Sequence, residues 1–315
     1  MKVIASTGKE ESTTVYIIEQ EQGKFLECVE SIMPSLTRLE KWVLLVSTMY
    51  GCPVHCAMCD AGGYYQGNPT SEEILEQIDF LVQNRFPHNT IPSKQFKIQF
   101  SRMGEPALNL AVLEVLKKLP KRYQAPGLMP SISTVAPAGC ERFFDQLINI
   151  KNDYFSDGRF QFQFSIHTTD ESLRDQIIPI RKWRFNEMAE YGDRFFSPGD
   201  RKITLNFALA QQSPLDAEVL KRHFSPEKFL IKITPINPTY RAVEMNLKSH
   251  VIIDSPLQND EIVSALRSEG YEVILSIGNI EENYIGSNCG QYLRAHLKTQ
   301  AKMQVGYTYP INKPV

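Results

Sequence analysis

The chain has few cysteines, only six in 315 residues, and they are unevenly distributed. A secreted domain held together by disulfides uses a denser cysteine pattern, so that class of protein is excluded. Charge of one sign is not in excess either, because the formal net charge is −2 at pH 7. The composition therefore excludes a strongly basic protein that binds nucleic acid over its whole surface, but not one with a local basic surface.

Long hydrophobic runs are also missing. No apolar run approaches the roughly 18 residues needed to span a bilayer, and the start, MKVIASTGKEESTT, lacks the apolar core of a signal peptide. We therefore expect a cytoplasmic protein without a membrane segment. In that compartment thiols stay reduced, so any cysteine cluster is expected to serve metal or redox chemistry.

Most of the chain alternates between strand-like and helix-like segments. The apolar run from Val43 to Val46 predicts a buried strand, and Thr70 with Glu73 has the spacing of a capping box that opens a helix. Roughly six such β/α units follow one another, which implies a parallel sheet with right-handed crossovers. We predict an α/β fold whose sheet closes or curls into a full or partial barrel, with functional side chains at the carboxyl ends of its strands.

The chain divides into three predicted regions. Residues 1–42 form a short N-terminal β-hairpin extension with its turn at Gly23, which we expect to cover one end of the core. Residues 43–250 form the partial barrel, and residues 251–315 form a C-terminal segment. Within the barrel, the glycine- and proline-containing connection at 185–201 is predicted to be a surface loop or lid.

The most informative pattern is the cysteine triplet in GCPVHCAMCDAGG. Cys52, Cys56 and Cys59 are four and three residues apart on a predicted loop at the end of a strand. Three thiolates on one loop can hold three irons of a [4Fe–4S] cluster and leave the fourth iron open. A zinc site with His55 as fourth ligand is the alternative, although adjacent residues such as His55 and Cys56 rarely both turn onto one ion.

A cysteine triplet after the first strand of a β/α barrel resembles the radical S-adenosylmethionine (SAM) superfamily. Five further strings resemble the RlmN/Cfr family of 23S rRNA adenine methyltransferases in order and spacing, over roughly residues 43 to 295: SRMGEPALNL, PSISTVAP, FSIHTTDESLRDQIIPI, ITPINP and SNCGQYL. The resemblance implies a partial barrel of the radical SAM type. It also implies a [4Fe–4S] cluster and SAM as cofactors, and an electron donor such as flavodoxin or ferredoxin.

The resemblance also implies roles for the matching residues. Cys52, Cys56 and Cys59 would bind the cluster, and Gly104 with Glu105 would meet the SAM ammonium. The ribose and methionine ends of SAM would be held by four polar residues, namely Ser133, Ser165, His167 and Asn237. Without the resemblance, Glu105 is interpreted as a helix cap and His167 as a structural histidine.

Cys289 matches the family's methyl-carrying cysteine. In the family's chemistry one SAM methylates this thiolate, and a second SAM is cleaved reductively to a 5′-deoxyadenosyl radical. That radical abstracts hydrogen from the S-methyl group, and the resulting carbon radical adds to an sp² carbon of the substrate. The flanking Gly286 and Gly290 favour an exposed loop over the alternative of a buried, inert cysteine.

Two departures from the family affect the predicted substrate. The family resolves its covalent adduct with a cysteine seven residues before the triplet, where this chain has Leu45, and Cys28 and Cys140 are the remaining candidates. The helical RNA-binding extension is also absent, and the basic strings at 117–122 and 181–184 are short.

We therefore predict methylation of an sp² carbon in a small molecule rather than in ribosomal RNA. Three alternatives remain open: an rRNA or tRNA adenine methyltransferase, a radical SAM enzyme that uses hydrogen abstraction without methylation, and a zinc-binding module.

Overall fold

The computed structural model describes residues 1–21, 23–33, 35–251, 256–276 and 291–299. Its strands are β1 Lys2–Gly8, β2 Thr13–Glu19, β3 Phe25–Ser31, β4 Lys41–Val46, β5 Gln95–Phe100, β6 Leu128–Thr134, β7 Gln161–Ser165, β8 Ile203–Leu209, β9 Phe229–Pro235 and β10 Val273–Leu275. Its helices are α1 Ser71–Gln83, α2 Ala111–Arg122, α3 Glu141–Tyr154, α4 Glu171–Ile177, α5 Phe185–Phe195, α6 Ala217–His223, α7 Tyr240–Glu244, α8 Pro256–Ser268 and α9 Gln291–Thr299, with a 3₁₀ turn at Pro106–Leu108.

The strands form one sheet in chain order, and the sheet has two parts. Strands β1 to β4 pair in antiparallel fashion, whereas β4 to β10 are parallel and alternate with helices. The predicted α/β class is therefore confirmed. Among the described helices, none is long and apolar enough to cross a bilayer.

The N-terminal region extends the sheet. Strands β2 and β3 of the predicted hairpin pair with each other on either side of Gly23, and β3 also pairs with β4. Strand β1 was not predicted, although Val3, Ile4 and Thr7 are β-branched residues that favour strands. Because β4 belongs to both parts, the sheet runs continuously across the predicted boundary between residues 42 and 43.

The parallel strands have one apolar and one polar face. On β5, Phe96 and Ile98 belong to the core that packs against the helices, while Gln95, Lys97 and Gln99 alternate with them on the other face. A parallel sheet covered by apolar layers on both sides consists of nearly continuous apolar strands. The alternation therefore leaves a polar face on the side of the sheet that points away from the helices, and we call this side the inner face.

The parallel part of the sheet curves around this inner face. A cavity of about 700 Å³ is lined both by Lys41 of β4 and by Ile274 of β10. In a flat sheet those two strands would lie about 29 Å apart, six times the usual strand spacing. Since one cavity touches both, the inner face is concave.

The segment at 185–201 is not a lid. Its first part is α5, and one side of this helix is buried against the sheet through Phe185, Met188, Tyr191, Gly192 and Phe195. These residues recur every three or four positions, which is the period of an amphipathic helix. The lid prediction was wrong because it gave weight to the glycine, proline and charged residues and overlooked this period.

Candidate active site

The cysteine triplet lies on a loop that follows β4, at the carboxyl end of the parallel strands. Cys52 is buried and forms an isolated β-bridge with Gly62, while Cys56 and Cys59 are half-buried. A Cβ at position 62 would lie 2.8 Å from His55 Cα, so glycine allows the two sides of the loop to meet. Burial raises the pKa of the Cys52 thiol to about 11, so this thiol stays protonated until a metal binds.

A buried carboxylate anchors the loop. Asp60 accepts hydrogen bonds from the backbone N–H groups of Tyr240 and Arg241 at the start of α7, both at 3.0 Å. It also accepts one from Arg294 Nη1 of α9 at 2.8 Å. Burial raises the pKa of Asp60, and these three donors act in the opposite direction. The end of the triplet is thereby tied to two helices that lie far along the chain.

Backbone groups of the loop are bound as well. The Cys56 carbonyl accepts from Arg241 Nε at 3.1 Å, and the Met58 carbonyl accepts from Thr239 Oγ1 at 3.0 Å. The Ala57 N–H donates to the Ile177 carbonyl at 2.9 Å. Contacts from three elements thus fix the backbone from which the thiols project. The sequence analysis missed these anchoring residues, although Asp60 directly follows the triplet.

The loop fits an iron–sulfur cluster better than a single ion. Tetrahedral zinc needs four ligands around one centre, whereas this loop offers three thiols and His55, which is adjacent to Cys56 in the chain. A [4Fe–4S] cluster instead takes each thiolate on a different iron. His55, the fourth ligand of the zinc alternative, packs against Gly62 and Gly63.

The GEP string lies directly against the start of the cysteine loop. Gly104 has φ +105°, and a Cβ there would lie 2.5 Å from Met49 Cγ, so this approach requires glycine. The Glu105 carboxylate is buried and accepts hydrogen bonds from Thr134 Oγ1, from Val135 N at 2.9 Å and from Ala107 N at 3.0 Å.

Burial raises the pKa of Glu105 to about 7, although these donors act to lower it. The bond from Ala107 makes Glu105 the cap of the 3₁₀ turn. The capping role considered for this residue is therefore real, and it places the carboxylate beside the cysteine loop.

His167 follows β7 at the same end of the sheet. Its ring is buried, and Nδ1 accepts a hydrogen bond from the Ala208 N–H at 3.1 Å. Burial and the nearby Arg174 lower the pKa of His167 to about 3. The imidazole is therefore neutral at physiological pH, and its Nε2 carries the proton.

Arg174 holds the surrounding backbone in place. Its guanidinium is fully buried and donates to the carbonyls of Trp183 at 2.8 Å and Val135 at 3.1 Å. It thereby ties the end of β6, beside Glu105, to the start of α5. Sequence reasoning missed this residue, although it lies within the string that contains His167.

The other predicted cofactor-binding residues also lie at the carboxyl ends of the strands. Ser133 and Ser165 are half-buried on the inner face of β6 and β7, and Asn237 follows β9. Asn206 of β8 is the residue paired with Ser165 in the sheet. Its side-chain Oδ1 is buried and has no hydrogen-bond partner among the described residues. An orphaned polar atom here suits a polar ligand on the inner face. Cys289, Gly286 and Gly290 lie outside the described residues.

The two candidate replacements for the resolving thiol lie in different surroundings. Cys28 is fully buried in the core between the sheet and α1, whereas Leu45 packs against the cluster that contains Cys52. Cys28 therefore faces away from the cysteine loop and serves as a core residue of the N-terminal hairpin. Cys140 lies just before α3 and is half-buried, at the end of the sheet where Glu105 lies.

The two basic strings are largely engaged in ion pairs. In KKLPKR, Lys117, Lys118 and Arg122 each pair with a carboxylate of α1 or α2. In RKWR, the buried Lys182 donates to Asp175 at 2.6 Å. Most of the cationic side chains in the two strings therefore have carboxylate partners within the chain and do not require an RNA phosphate.

Comparison with known proteins identifies relatives along nearly the whole chain. No family model matches. The chain is 26% identical to the probable dual-specificity RNA methyltransferase RlmN of Desulfitobacterium hafniense (strain DSM 10664 / DCB-2), over 93% of this chain and 78% of that protein. It is 23% identical to the dual-specificity RNA methyltransferase RlmN of Sulfurimonas denitrificans, over 96% of this chain and 83% of that protein.

Among solved structures, a radical SAM methyltransferase from Sphaerobacter thermophilus matches with a TM-score of 0.70 at 19% identity, over 92% of this chain and 80% of that one. This likeness shows that the chain shares the fold of that enzyme. In sequence the chain is similar to RlmN methyltransferases along nearly its whole length, which confirms the predicted resemblance to the RlmN/Cfr family. The predicted cofactors, a [4Fe–4S] cluster and SAM, are those of this class.

Proposed function

We propose that this enzyme transfers a methyl group through Cys289 to an sp² carbon of an RNA base. One observation carries the proposal most strongly. The cysteine loop, Glu105 and His167 come from separate segments and lie together at the carboxyl end of a curved parallel sheet with a polar inner face. This is the end at which β/α folds assemble their active sites.

In this proposal, residues 43–250 form a partial (β/α)6 barrel of the radical SAM type that holds the cofactors, and residues 251–315 bring Cys289 to them. Cys52, Cys56 and Cys59 hold the cluster, which supplies the electron for reductive cleavage of SAM. A small redox protein such as flavodoxin or ferredoxin provides that electron.

The chain's own groups bind and orient SAM. The Glu105 carboxylate accepts a hydrogen bond from the SAM ammonium. Because its pKa is about 7, Glu105 is partly protonated before SAM binds, and it gives up this proton when the ammonium group arrives. His167 donates from Nε2, because its Nδ1 is occupied by the Ala208 N–H. Ser133, Ser165 and Asn237 supply polar contacts to the ribose and methionine ends.

RNA is the substrate supported by the relatives, since both curated proteins are named RNA methyltransferases. A small molecule is the second candidate. Leu45 in place of the resolving cysteine favours it, as do the ion pairs that occupy both basic strings. The closing lid that would also have favoured it does not exist, because α5 is packed into the core.

A labelling experiment distinguishes the two substrates. Anaerobically reconstituted enzyme is incubated with a reductant and methyl-labelled SAM, in one arm with protein-free ribosomal RNA and in the other with a small-metabolite extract. Label in RNA at a rate comparable to SAM consumption supports the leading proposal. Label confined to the metabolite arm would replace it with the second candidate. Cys56→Ala is the control and should label neither arm.

Mass spectrometry of the Cys289 peptide tests the carrier mechanism. After incubation with SAM, the leading proposal expects an S-methyl group on this cysteine. An enzyme that only abstracts hydrogen would cleave SAM and leave Cys289 unmodified, which would contradict methyl transfer through it.

A further inference from the structure

The cavity on the inner face lies at the end of the sheet opposite the cysteine loop. Its lining includes the first residues of three parallel strands, Lys41, Gln95 and Gln161, and residues just before other strands. The cysteine loop follows the last residue of β4 and so lies at the other end. The cavity is therefore separate from the proposed active site.

This cavity has a strong excess of positive charge. Seven cationic side chains line it, against one carboxylate, Glu272: they are Lys41, Lys94, Lys97, Arg159, Arg201, Lys202 and Lys232. Glu272 Oε2 lies 4.0 Å from Lys202 Nζ and can offset only part of this charge. Because the whole chain has a formal charge of −2, so many cations in one cavity are a local feature.

Lys97 makes the cavity unusual. It lies within β5 on the inner face and is only 8% exposed. Among the described residues, no hydrogen bond or ion pair to its ammonium group is found. An ammonium group held on a pocket wall without an anionic partner is destabilising. A pocket with such an ammonium group on its wall is suited to an anionic ligand, because the ligand would supply the missing partner.

We propose that this cavity binds a small molecule with two or more phosphate groups. Its volume, about 700 Å³, lies within the range of roughly 300–1,000 Å³ found for small-molecule sites. Arg159 and Arg201 offer forked donors that match phosphate oxygens, while the lysines act as point charges. The site has no part in the proposed methyl transfer, so the inference stands apart from it.

Titration calorimetry with tripolyphosphate tests the proposal on the reconstituted, anaerobic protein. We expect saturable binding of one tripolyphosphate per chain. Lys97→Met and Arg201→Gln should each weaken it at least about tenfold, the loss expected for one charge-assisted contact. Lys117→Met removes the same charge from α2, outside the cavity, and should bind as the unmodified protein does.

The pH dependence provides a second measurement. Burial and the facing cations Lys232, Lys41 and Arg201 together lower the pKa of Lys97 to about 7. The contribution of Lys97 to the affinity should therefore be lost between pH 6 and 8, and it is read as the difference between the unmodified protein and Lys97→Met, because tripolyphosphate itself gains charge in this range. Among the described residues that line the cavity, Glu272 is the one with an acidic side chain. In Lys97→Met this part of the pH dependence should disappear.

Three outcomes would overturn the proposal. The first is no saturable binding to the unmodified protein, and the second is equal weakening by Lys117→Met, which would indicate general surface attraction. The third is an RNA oligonucleotide that competes with tripolyphosphate and shows the same dependence on Lys97, because the cavity would then belong to an RNA-binding surface.

Discussion

Glu105 shows how one carboxyl group can serve both the fold and the ligand. It caps the 3₁₀ turn through the Ala107 N–H and binds the end of β6 through the Val135 N–H. Both contacts hold the carboxylate where Gly104 brings it against the start of the cysteine loop. Its raised pKa shows that burial opposes ionisation, which a cationic ligand would reverse.

Replacing Glu105 by glutamine should weaken SAM binding by about one to two orders of magnitude, since a charge-assisted contact contributes about 1.5–3 kcal/mol. The glutamine oxygen can keep only one of the two backbone N–H bonds, because Ala107 N and Val135 N donate to different carboxylate oxygens, so the unfolding midpoint of the variant is measured alongside SAM binding. Equilibrium dialysis with labelled SAM measures the effect, with the exposed Glu114→Gln as control. Unchanged affinity in Glu105→Gln would place this residue outside the SAM site.

The sequence was informative for residues whose chemistry is distinctive within a short string. The cysteine triplet could be predicted in this way, whereas Gly104, Glu105 and His167 were expected in the site only from the family resemblance, and their roles stay predictions. Asp60 and Arg174 could not be predicted, because their roles depend on partners brought close only by the fold. Asp60, for example, binds Arg241, which lies 181 residues further along the chain.

At the scale of single elements, the cysteine loop depends on α7 and α9 for its shape. Asp60→Asn replaces one acceptor oxygen by an NH2 group, which must face either the Tyr240 N–H or the Arg241 N–H together with the guanidinium of Arg294. An unsatisfied buried donor costs about 1–3 kcal/mol. We therefore expect this variant to lose its cluster faster.

Iron release to a chelator, followed under anaerobic conditions, measures this effect. Asp153→Asn, an exposed position on α3, is the matched control and should behave as the unmodified protein does. Equal rates of iron loss in Asp60→Asn would show that the Asp60 contacts do not support the loop.

Helix α5 lies in the segment 185–201, which was predicted to be a surface loop or lid. The prediction placed the start of the segment correctly but missed that Phe185–Phe195 is a helix. Gly192 is the residue that permits its close packing, because a Cβ there would lie 2.3 Å from Phe229 Cζ. Helix propensity alone favours alanine over glycine by about 1 kcal/mol, whereas overpacking of a core costs about 1–3 kcal/mol. The steric term should dominate at this position.

We therefore expect Gly192→Ala to lower the free energy of unfolding, as measured by urea denaturation. Adding Phe229→Leu removes the ring atom that causes the clash, so the effect of the alanine should shrink or change sign in the double variant. A stabilising Gly192→Ala in the unmodified background would mean that α5 is not packed against β9 as described.

At the scale of the whole molecule, the curved sheet separates two kinds of chemistry. The proposed cofactor site lies at the carboxyl ends of the strands, and the basic cavity lies at their amino ends. The β/α order and the parallel sheet could be predicted from the alternation of segments. The basic cavity could not, because its cations come from five strands and their preceding loops, and only the curvature of the sheet brings them together.

This concentration of charge should affect stability in a pH-dependent way. The pKa of Lys97 is about 7 in the folded chain, against an ordinary value of 10.5. Between these values the unfolded state binds more protons, so the free energy of unfolding should rise with pH. From pH 7 to 9.5 the contribution of Lys97 is about 3 kcal/mol, by the conversion of 1.36 kcal/mol per pKa unit.

Lys97→Met isolates this contribution from that of Lys232, whose pKa burial also lowers. Methionine fills the space of the lysine stem without a charge, so the variant should be more stable than the unmodified protein at pH 7. The two proteins should approach each other by pH 9.5, whereas Lys117→Met should follow the unmodified protein throughout. Urea denaturation in a buffer without phosphate measures the three profiles. The contrary outcome is a stability profile of Lys97→Met that runs parallel to that of the unmodified protein from pH 7 to 9.5. Lys97 would then be solvated and charged across this range, and the cavity would not confine its ammonium group as the burial of Lys97 indicates.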